Sequence, residues 1–140
     1  MLAAAVQNAE PLAILVVDND QGVTDTFARM LRLEGYTVYT AVNPESGLDL
    51  AIEKLSQAII LDLRMPILNG IQFLRRLRTR PDLAETPVAI VTGDYFIDEG
   101  ITEQLKTLGA SIRFKPLWLD DLVSIAHGLT ASASGPISDP

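Results

Sequence analysis

The sequence predicts an α/β domain in which a five-stranded parallel sheet is covered by helices on both faces. Apolar runs alternate five times with segments whose apolar residues recur at helical spacing, a pattern typical of a parallel sheet. Three of these runs are almost wholly apolar, as central strands buried on both faces require. A chain of 140 residues with 48% hydrophobic content is long enough for one such domain with its own core.

The five predicted strands follow one another at regular intervals. They are, in chain order, Leu12–Asp18, Tyr36–Ala41, Ala58–Leu63, Val88–Thr92 and Ala110–Phe114. Branched and aromatic residues dominate them, and such residues favour strands.

A helical pattern follows each strand. The inward-facing residues are predicted to be Val23, Phe27, Met30 and Leu31 in the first helix, Leu48, Ala51, Ile52 and Leu55 in the second, Ile71, Leu74 and Leu77 in the third, Ile97, Ile101, Leu105 and Leu108 in the fourth, and Leu119, Leu122, Val123, Ala126 and Leu129 in the fifth. Asn43 and Pro44 read as the N-cap and first residue of the second helix. A loop over residues 64–70 is expected before the third helix, and Pro116 is expected to begin the fifth.

Strict alternation and right-handed crossovers leave few possible topologies. The natural choice is the flavodoxin-like, doubly wound (βα)5 three-layer sandwich with strand order 2-1-3-4-5. In that order, a crevice opens where the first and third strands diverge, at the carboxyl ends of the strands.

Polar residues occur where four of the apolar runs end, and burying them in a core would be costly. They are Asp18, Asn19 and Asp20 after the first strand, Asp62 at the third, Thr92 at the fourth and Lys115 after the fifth. Because parallel strands end at one edge of the sheet, these groups are expected to converge. Asp20 can compensate for the missing charge of Asn19, but its position favours an N-cap of the first helix.

The chemistry of these groups suits a divalent cation and a phosphoryl group. A hard cation such as Mg²⁺ takes oxygen ligands, which Asp18, Asp62 and the Asn19 amide can supply. Asp62 can act as a nucleophile and form an aspartyl phosphate. Lys115 can neutralise a phosphoryl oxygen, and the Thr92 hydroxyl can donate a hydrogen bond to another.

In order and spacing, five short segments resemble the receiver domain of bacterial two-component response regulators, and the resemblance spans about Leu12 to Leu129. The segments are Leu15-Val16-Val17-Asp18-Asn19-Asp20, Leu61-Asp62-Leu63-Arg64-Met65-Pro66, Asn69-Gly70, Val91-Thr92-Gly93 and Phe114-Lys115-Pro116.

This resemblance implies roles for individual residues. Asp62 is the implied phosphoacceptor, and the donor is a histidine kinase or a histidine phosphotransfer protein. Asp18 belongs to the implied Mg²⁺ cluster, with the backbone carbonyl of Arg64 as a further ligand. Thr92 and Lys115 are the implied switch residues, and the bond before Pro116 is cis in such domains.

The resemblance also implies how the signal leaves the domain. The output is expected on the face formed by the fourth helix, the fifth strand and the fifth helix, acting on a downstream effector or on a domain absent from this chain, with a homodimer as one arrangement. Such a domain is a signalling module rather than an enzyme, although it assists its own phosphoryl transfer and dephosphorylation.

Several residues depart from the family pattern. Asn19 stands where a second acid is usual, so weaker Mg²⁺ binding is expected. Ile112 stands where a switch Tyr or Phe is usual, so a rotating ring cannot transmit the signal there. Gly93 and Asp94 follow Thr92 as candidates for contacts in the switch loop, and Arg64 can tune the lifetime of the phosphate.

Two alternatives of other classes stay open. A degenerate receiver could act as a docking or dimerisation module independent of phosphorylation, and Asn19 and Ile112 motivate this reading. A hydrolase that forms an aspartyl phosphate shares the nucleophile and the lysine, but the short loops leave little material for a substrate pocket.

Other residues and the bulk composition favour plainer readings. Arg75, Arg76, Arg78 and Arg80 are expected on a solvated helix face, His127 at the surface, and Trp118 in packing or an interface. A net charge of −7 argues against direct nucleic-acid or membrane binding. The absence of cysteine fits a cytoplasmic protein.

The expected organisation is an N-terminal extension over residues 1–10, the domain over 11–130, and a flexible tail or linker start over 131–140.

Overall fold

The computed structural model describes residues 12–62, 67–93, 99–115 and 117–134, in which strands and helices alternate. The elements are β1 (Ala13–Val17), α1 (Gln21–Leu33), β2 (Thr37–Ala41), α2 (Pro44–Lys54), β3 (Ala58–Asp62), α3 (Ile67–Arg78), a 3₁₀ turn (Pro81–Leu83), β4 (Val88–Thr92), α4 (Glu99–Thr107), β5 (Ala110–Phe114) and α5 (Leu119–Ser134). All five predicted strands are confirmed to within one residue at each described end, and Leu63, the predicted last residue of the third strand, lies outside the described residues.

The five strands form one parallel sheet of order β2-β1-β3-β4-β5. The predicted topology is therefore confirmed. The register pairs Val17 with both Ala41 and Leu61, and Asp62 with Val91. The strand ends thus lie level with one another, and side chains that follow them share one edge.

Side-chain alternation divides the core into two layers. Leu15 and Val17 face the layer that contains α2, α3 and α4, whereas Ile14 and Val16 face the layer that contains α1 and α5. Both faces of the central strands are covered, because every residue of β3 and β4 is buried.

Polar residues at their N-termini define where α1 and α2 begin. Asp20 caps α1 by accepting hydrogen bonds from the amides of Gly22 and Val23, which confirms the predicted cap. Asn43 caps α2 through the amide of Ser46, with Pro44 as the first helical residue. These caps satisfy amides that lack partners within the helix.

Several expected boundaries and faces were wrong. α3 begins at Ile67, within the segment expected to be a loop, and α5 begins at Leu119 rather than at Pro116. Leu119 is 47% exposed rather than inward-facing, because it lies in the first turn of α5 at the rim. Leu55 is also 47% exposed, because it leaves α2 in a left-handed conformation with φ 48°.

The expectation that the four arginines of the third helix lie on a solvated face was wrong for Arg78. Its side chain is half-buried and donates to the carbonyls of Leu108 (2.7 Å from Nε) and Leu83 (2.9 Å from Nη1). Burial lowers the pKa of its guanidinium. Arg78 therefore joins the end of α3 to the turns that precede β4 and β5.

The fifth helix runs to Ser134, four residues into the segment for which a flexible tail or linker was expected. None of the helices described is long and apolar enough to cross a membrane. The boundaries at residues 1–10, 11–130 and 131–140 stay a prediction.

Gly47 lets α2 approach the sheet closely. A Cβ atom at this position would lie 2.7 Å from Cγ2 of Val17, which is buried at the end of β1. We expect Gly47→Ala to lower the free energy of unfolding by about 1–3 kcal/mol, because the overpacking outweighs the gain in helix propensity.

Urea unfolding monitored by circular dichroism measures this effect. The matched control is Gly128→Ala in α5, where a Cβ atom would meet nothing within 4 Å. We expect this control to be stabilised by up to about 1 kcal/mol. Equal effects of the two substitutions would contradict the close approach.

Candidate functional site

Two buried carboxylates lie side by side at the carboxyl edge of the sheet. Asp18 directly follows β1, and Asp62 is the last residue of β3. Their exposed fractions are 0% and 1%. The hydrogen bond from the amide of Asp18 to the carbonyl of Ala41 (3.0 Å) extends the β1–β2 ladder to the aspartate and fixes its backbone.

Lys115 brings a cation to Asp62. Its Nζ atom lies 2.7 Å from Oδ1 of Asp62, and its side chain is 27% exposed. Its amide donates to the carbonyl of Thr92 at 2.9 Å, which ties the segment after β5 to the end of β4. The ion pair is largely shielded from water, so its electrostatic attraction is stronger than that of a surface pair.

Asp20 orients Asp18 as well as capping α1. The amide of Asp20 donates to Oδ1 of Asp18 at 2.8 Å. Because the Asp20 side chain is itself held by the first turn of α1, the start of this helix positions the Asp18 carboxylate.

Burial raises the pKa of Asp18 to about 7. The nearby negative charge of Asp62 contributes to this rise, whereas the Asp20 amide and the Lys115 charge act in the opposite direction. Without an additional cation, Asp18 therefore holds its proton to near-neutral pH.

The remaining candidates lie at the same edge or outside the described residues. Thr92 is buried at the end of β4, Asn19 is exposed beside Asp18, and Gly93 is exposed, with no described atom within 4 Å of where a Cβ atom would lie. Arg64, Asp94 and Pro116 lie outside the described residues. The predictions for the Arg64 carbonyl, the Asp94 contact and the cis bond before Pro116 therefore stay predictions.

A hard divalent cation fits this donor set. Oδ2 of Asp18 is buried without a hydrogen-bond partner in the described part of the chain. A cation there would meet oxygen donors of two carboxylates and relieve their mutual repulsion. No group of three or more acidic, histidine or cysteine side chains suited to a metal occurs within the described ranges. Other oxygen donors and water would complete the coordination.

The sequence matches the family model of the response regulator receiver domain over residues 14–127. The chain belongs to this family. The prediction made from its motifs is confirmed, and the receiver domain is the signal-receiving part of two-component systems.

Curated relatives extend beyond this domain. The receiver is 31% identical over 134 residues to the response regulator MprA of Mycobacterium sp. strain KMS, covering 91% of this chain and 56% of the relative. It is 30% identical over 127 residues to the cell cycle transcriptional regulator CtrA of Caulobacter vibrioides, covering 89% and 52%. The chain thus spans about half the length of the curated relatives it matches.

Solved structures share the fold. The receiver domain protein of Methanospirillum hungatei has a TM-score of 0.76 at 23% identity, covering 90% of this chain and 100% of that one. The signal receiver domain of Bermanella marisrubri has a TM-score of 0.72 at 29% identity, covering 86% and 99%. These similarities confirm the flavodoxin-like architecture.

The raised pKa of Asp18 predicts a pH-dependent stability. The unfolded chain ionises this carboxyl near pH 4, whereas the folded chain retains the proton to about pH 7. The contribution of Asp18 to the free energy of unfolding should therefore fall between about pH 4 and 7, by at most about 1.4 kcal/mol per pH unit, and then level off.

Urea unfolding at several pH values without divalent cations tests this. Asp18→Asn should gain stability relative to the wild type as the pH rises from 4 to 7. Asp49→Asn, an exposed helical aspartate, serves as the control and should track the wild type. Parallel curves for the wild type and Asp18→Asn would show that the carboxyl ionises normally.

Proposed function

We propose that the chain is a phosphorylatable receiver that accepts a phosphoryl group on Asp62. The observation that carries the proposal is the placement of this buried carboxylate 2.7 Å from Lys115 and beside Asp18. A nucleophile flanked by a cation and by a second carboxylate suits a reaction in which charge neutralisation does most of the work.

The phosphoryl donor is a phosphohistidine of a histidine kinase or of a histidine phosphotransfer protein. A carboxylate oxygen of Asp62 attacks the phosphorus, the new O–P bond forms, and the N–P bond breaks. The electron pair of that bond stays on the imidazole nitrogen, which takes up a proton. Lys115 neutralises a phosphoryl oxygen, and the Thr92 hydroxyl donates to another.

The residues that would hold Mg²⁺ are Asp18, Asp62, the Asn19 amide and the Arg64 carbonyl. The bound ion would neutralise charge on the phosphoryl oxygens. The buried Oδ2 atom of Asp18, which has no hydrogen-bond partner among the described residues, supports this assignment. Because Asn19 carries no charge, the site is weaker than one with two adjacent acids.

Phosphorylation changes the partners of Lys115 and Thr92 and shifts an existing equilibrium between two conformations. Lys115 is linked by its backbone to β4, so movement at either residue reaches the face formed by α4, β5 and α5. This face would contact a downstream protein, a second copy or a domain outside this chain. Reversal by water at the phosphorus completes the signal cycle, and the cytoplasm is the compartment in which we place it.

A phosphorylation-independent docking module is the second candidate. Asn19 favours it, because one missing carboxylate weakens the metal site, and Ile112 removes the aromatic switch. In this case the fold would present the same face constitutively.

The phosphoacceptor is tested with acetyl phosphate and Mg²⁺. The wild type should gain one phosphoryl group per chain, seen as a retarded band on a phosphate-affinity gel, and Asp62→Asn should gain none. Asp49→Asn should behave as the wild type. Absence of modification in every form, including with a phosphohistidine donor, would make the docking module the leading function.

The proposed Mg²⁺ ligands are tested by changing the charge of residues 18 and 19 and measuring the affinity for Mg²⁺. Asn19→Asp should bind Mg²⁺ about tenfold more tightly, because a carboxylate replaces an amide beside the ion. Asp18→Asn should bind it more weakly. Fluorescence of Trp118, which is three residues past Lys115 and 70% exposed, or calorimetry measures the affinity. Unchanged affinity in both variants would place the ion elsewhere.

A further inference from the structure

A cavity of about 270 Å³ lies between α2 and α3, and none of its residues belongs to the Asp18–Asp62–Lys115 site. Its apolar lining comes from Pro44, Leu48 and Phe73. Its polar lining comes from Asn43 and Glu45 at the start of α2, and from Gln72 and Arg76 of α3. The cavity therefore combines an apolar surface with charges of both signs.

The two charged residues of this cavity have no ion-pair partner within the described part of the chain. Glu45 and Arg76 are exposed, and neither side chain makes a hydrogen bond or an ion pair within the described part of the chain, including with the other. Asn43 differs, because its Oδ1 atom accepts from the Ser46 amide at 2.8 Å. A carboxylate and a guanidinium thus line one partly apolar cavity without forming an ion pair with each other.

We propose that this cavity binds a small zwitterion, an α-amino acid with an apolar side chain. Its ammonium group would meet Glu45, its carboxylate would meet Arg76 in the two-pronged geometry that guanidinium favours, and its side chain would cover Leu48 and Phe73. The volume lies just below the range typical of pockets for drug-sized ligands, which suits a smaller ligand such as an amino acid. This site goes beyond the proposed phosphoryl chemistry and does not depend on it.

Packing contacts connect the cavity to the edge of the sheet. The ring of Phe73 lies near Gly47 on α2, since a Cβ atom there would be 3.5 Å from Cε2 of Phe73 and 2.7 Å from Cγ2 of Val17. Val17 directly precedes Asp18. The amides of residues 43, 45–48, 72–76 and 17 are therefore the reporters of a ligand in this cavity.

The probes are L-leucine, N-acetyl-L-leucine, which lacks the ammonium charge, and L-leucinamide, which lacks the carboxylate. Each is titrated into the ¹⁵N-labelled full chain at pH 7 and followed by amide chemical shifts. We expect L-leucine to shift the reporters with a dissociation constant on the order of 1 mM, as a ligand of about nine heavy atoms allows. Each derivative should bind about tenfold more weakly.

Charge-neutralised variants assign the two ends of the ligand. Arg76→Gln should bind L-leucine and L-leucinamide equally weakly, and Glu45→Gln should no longer prefer L-leucine over N-acetyl-L-leucine. Arg75→Gln is the matched control, because Arg75 does not line the cavity and instead contacts Gln104 (2.8 Å). It should bind as the wild type.

Three outcomes overturn the proposal. They are the absence of shifts at the reporters, equal shifts for the three probes, and equal weakening by Arg75→Gln and Arg76→Gln. None of these titrations measures phosphorylation of Asp62, so their outcome does not bear on the proposed phosphoacceptor.

Discussion

The proximity of two buried carboxylates to one ammonium group governs the chemistry of this domain. Burial disfavours the charged form of Asp18, and the neighbouring Asp62 opposes its ionisation further. Lys115 offsets part of this negative charge, because its ammonium group forms an ion pair with Oδ1 of Asp62. The edge of the sheet is therefore short of positive charge, and the divalent cation proposed above would supply it.

The scaffold maintains this arrangement through backbone and helix-end contacts. The sheet register aligns the ends of β1 and β3, the Asp20 amide holds Asp18, and the backbone of Lys115 is bound to Thr92. In a flexible loop the two carboxylates could relieve their repulsion by moving apart, but these contacts leave them little freedom to do so. Tight packing at Gly47 extends the same rigidity to α2.

The carboxyl edge of the sheet and the cavity between α2 and α3 differ in how far their charged groups are buried and paired. At the edge of the sheet, the charges are buried and partly paired, so small changes in charge carry large free energies. In the cavity between α2 and α3, Glu45 and Arg76 are exposed and solvated, so a ligand gains less from each contact. The first arrangement suits a chemical switch, and the second suits weak and reversible binding.

The sequence by itself determined the family and the strand order and pointed to candidate site residues at the carboxyl edge, because side-chain period, caps and strand-end charges are local and strongly patterned. Only the tertiary structure decided which carboxylate Lys115 contacts, how far burial raises the pKa of Asp18, and that Arg78 is a structural residue within an otherwise solvated arginine run. It also placed Leu55 and Leu119 at the surface and brought Glu45 to the same cavity as Arg76. These features depend on distances between segments remote in sequence, which residue spacing along the chain does not encode.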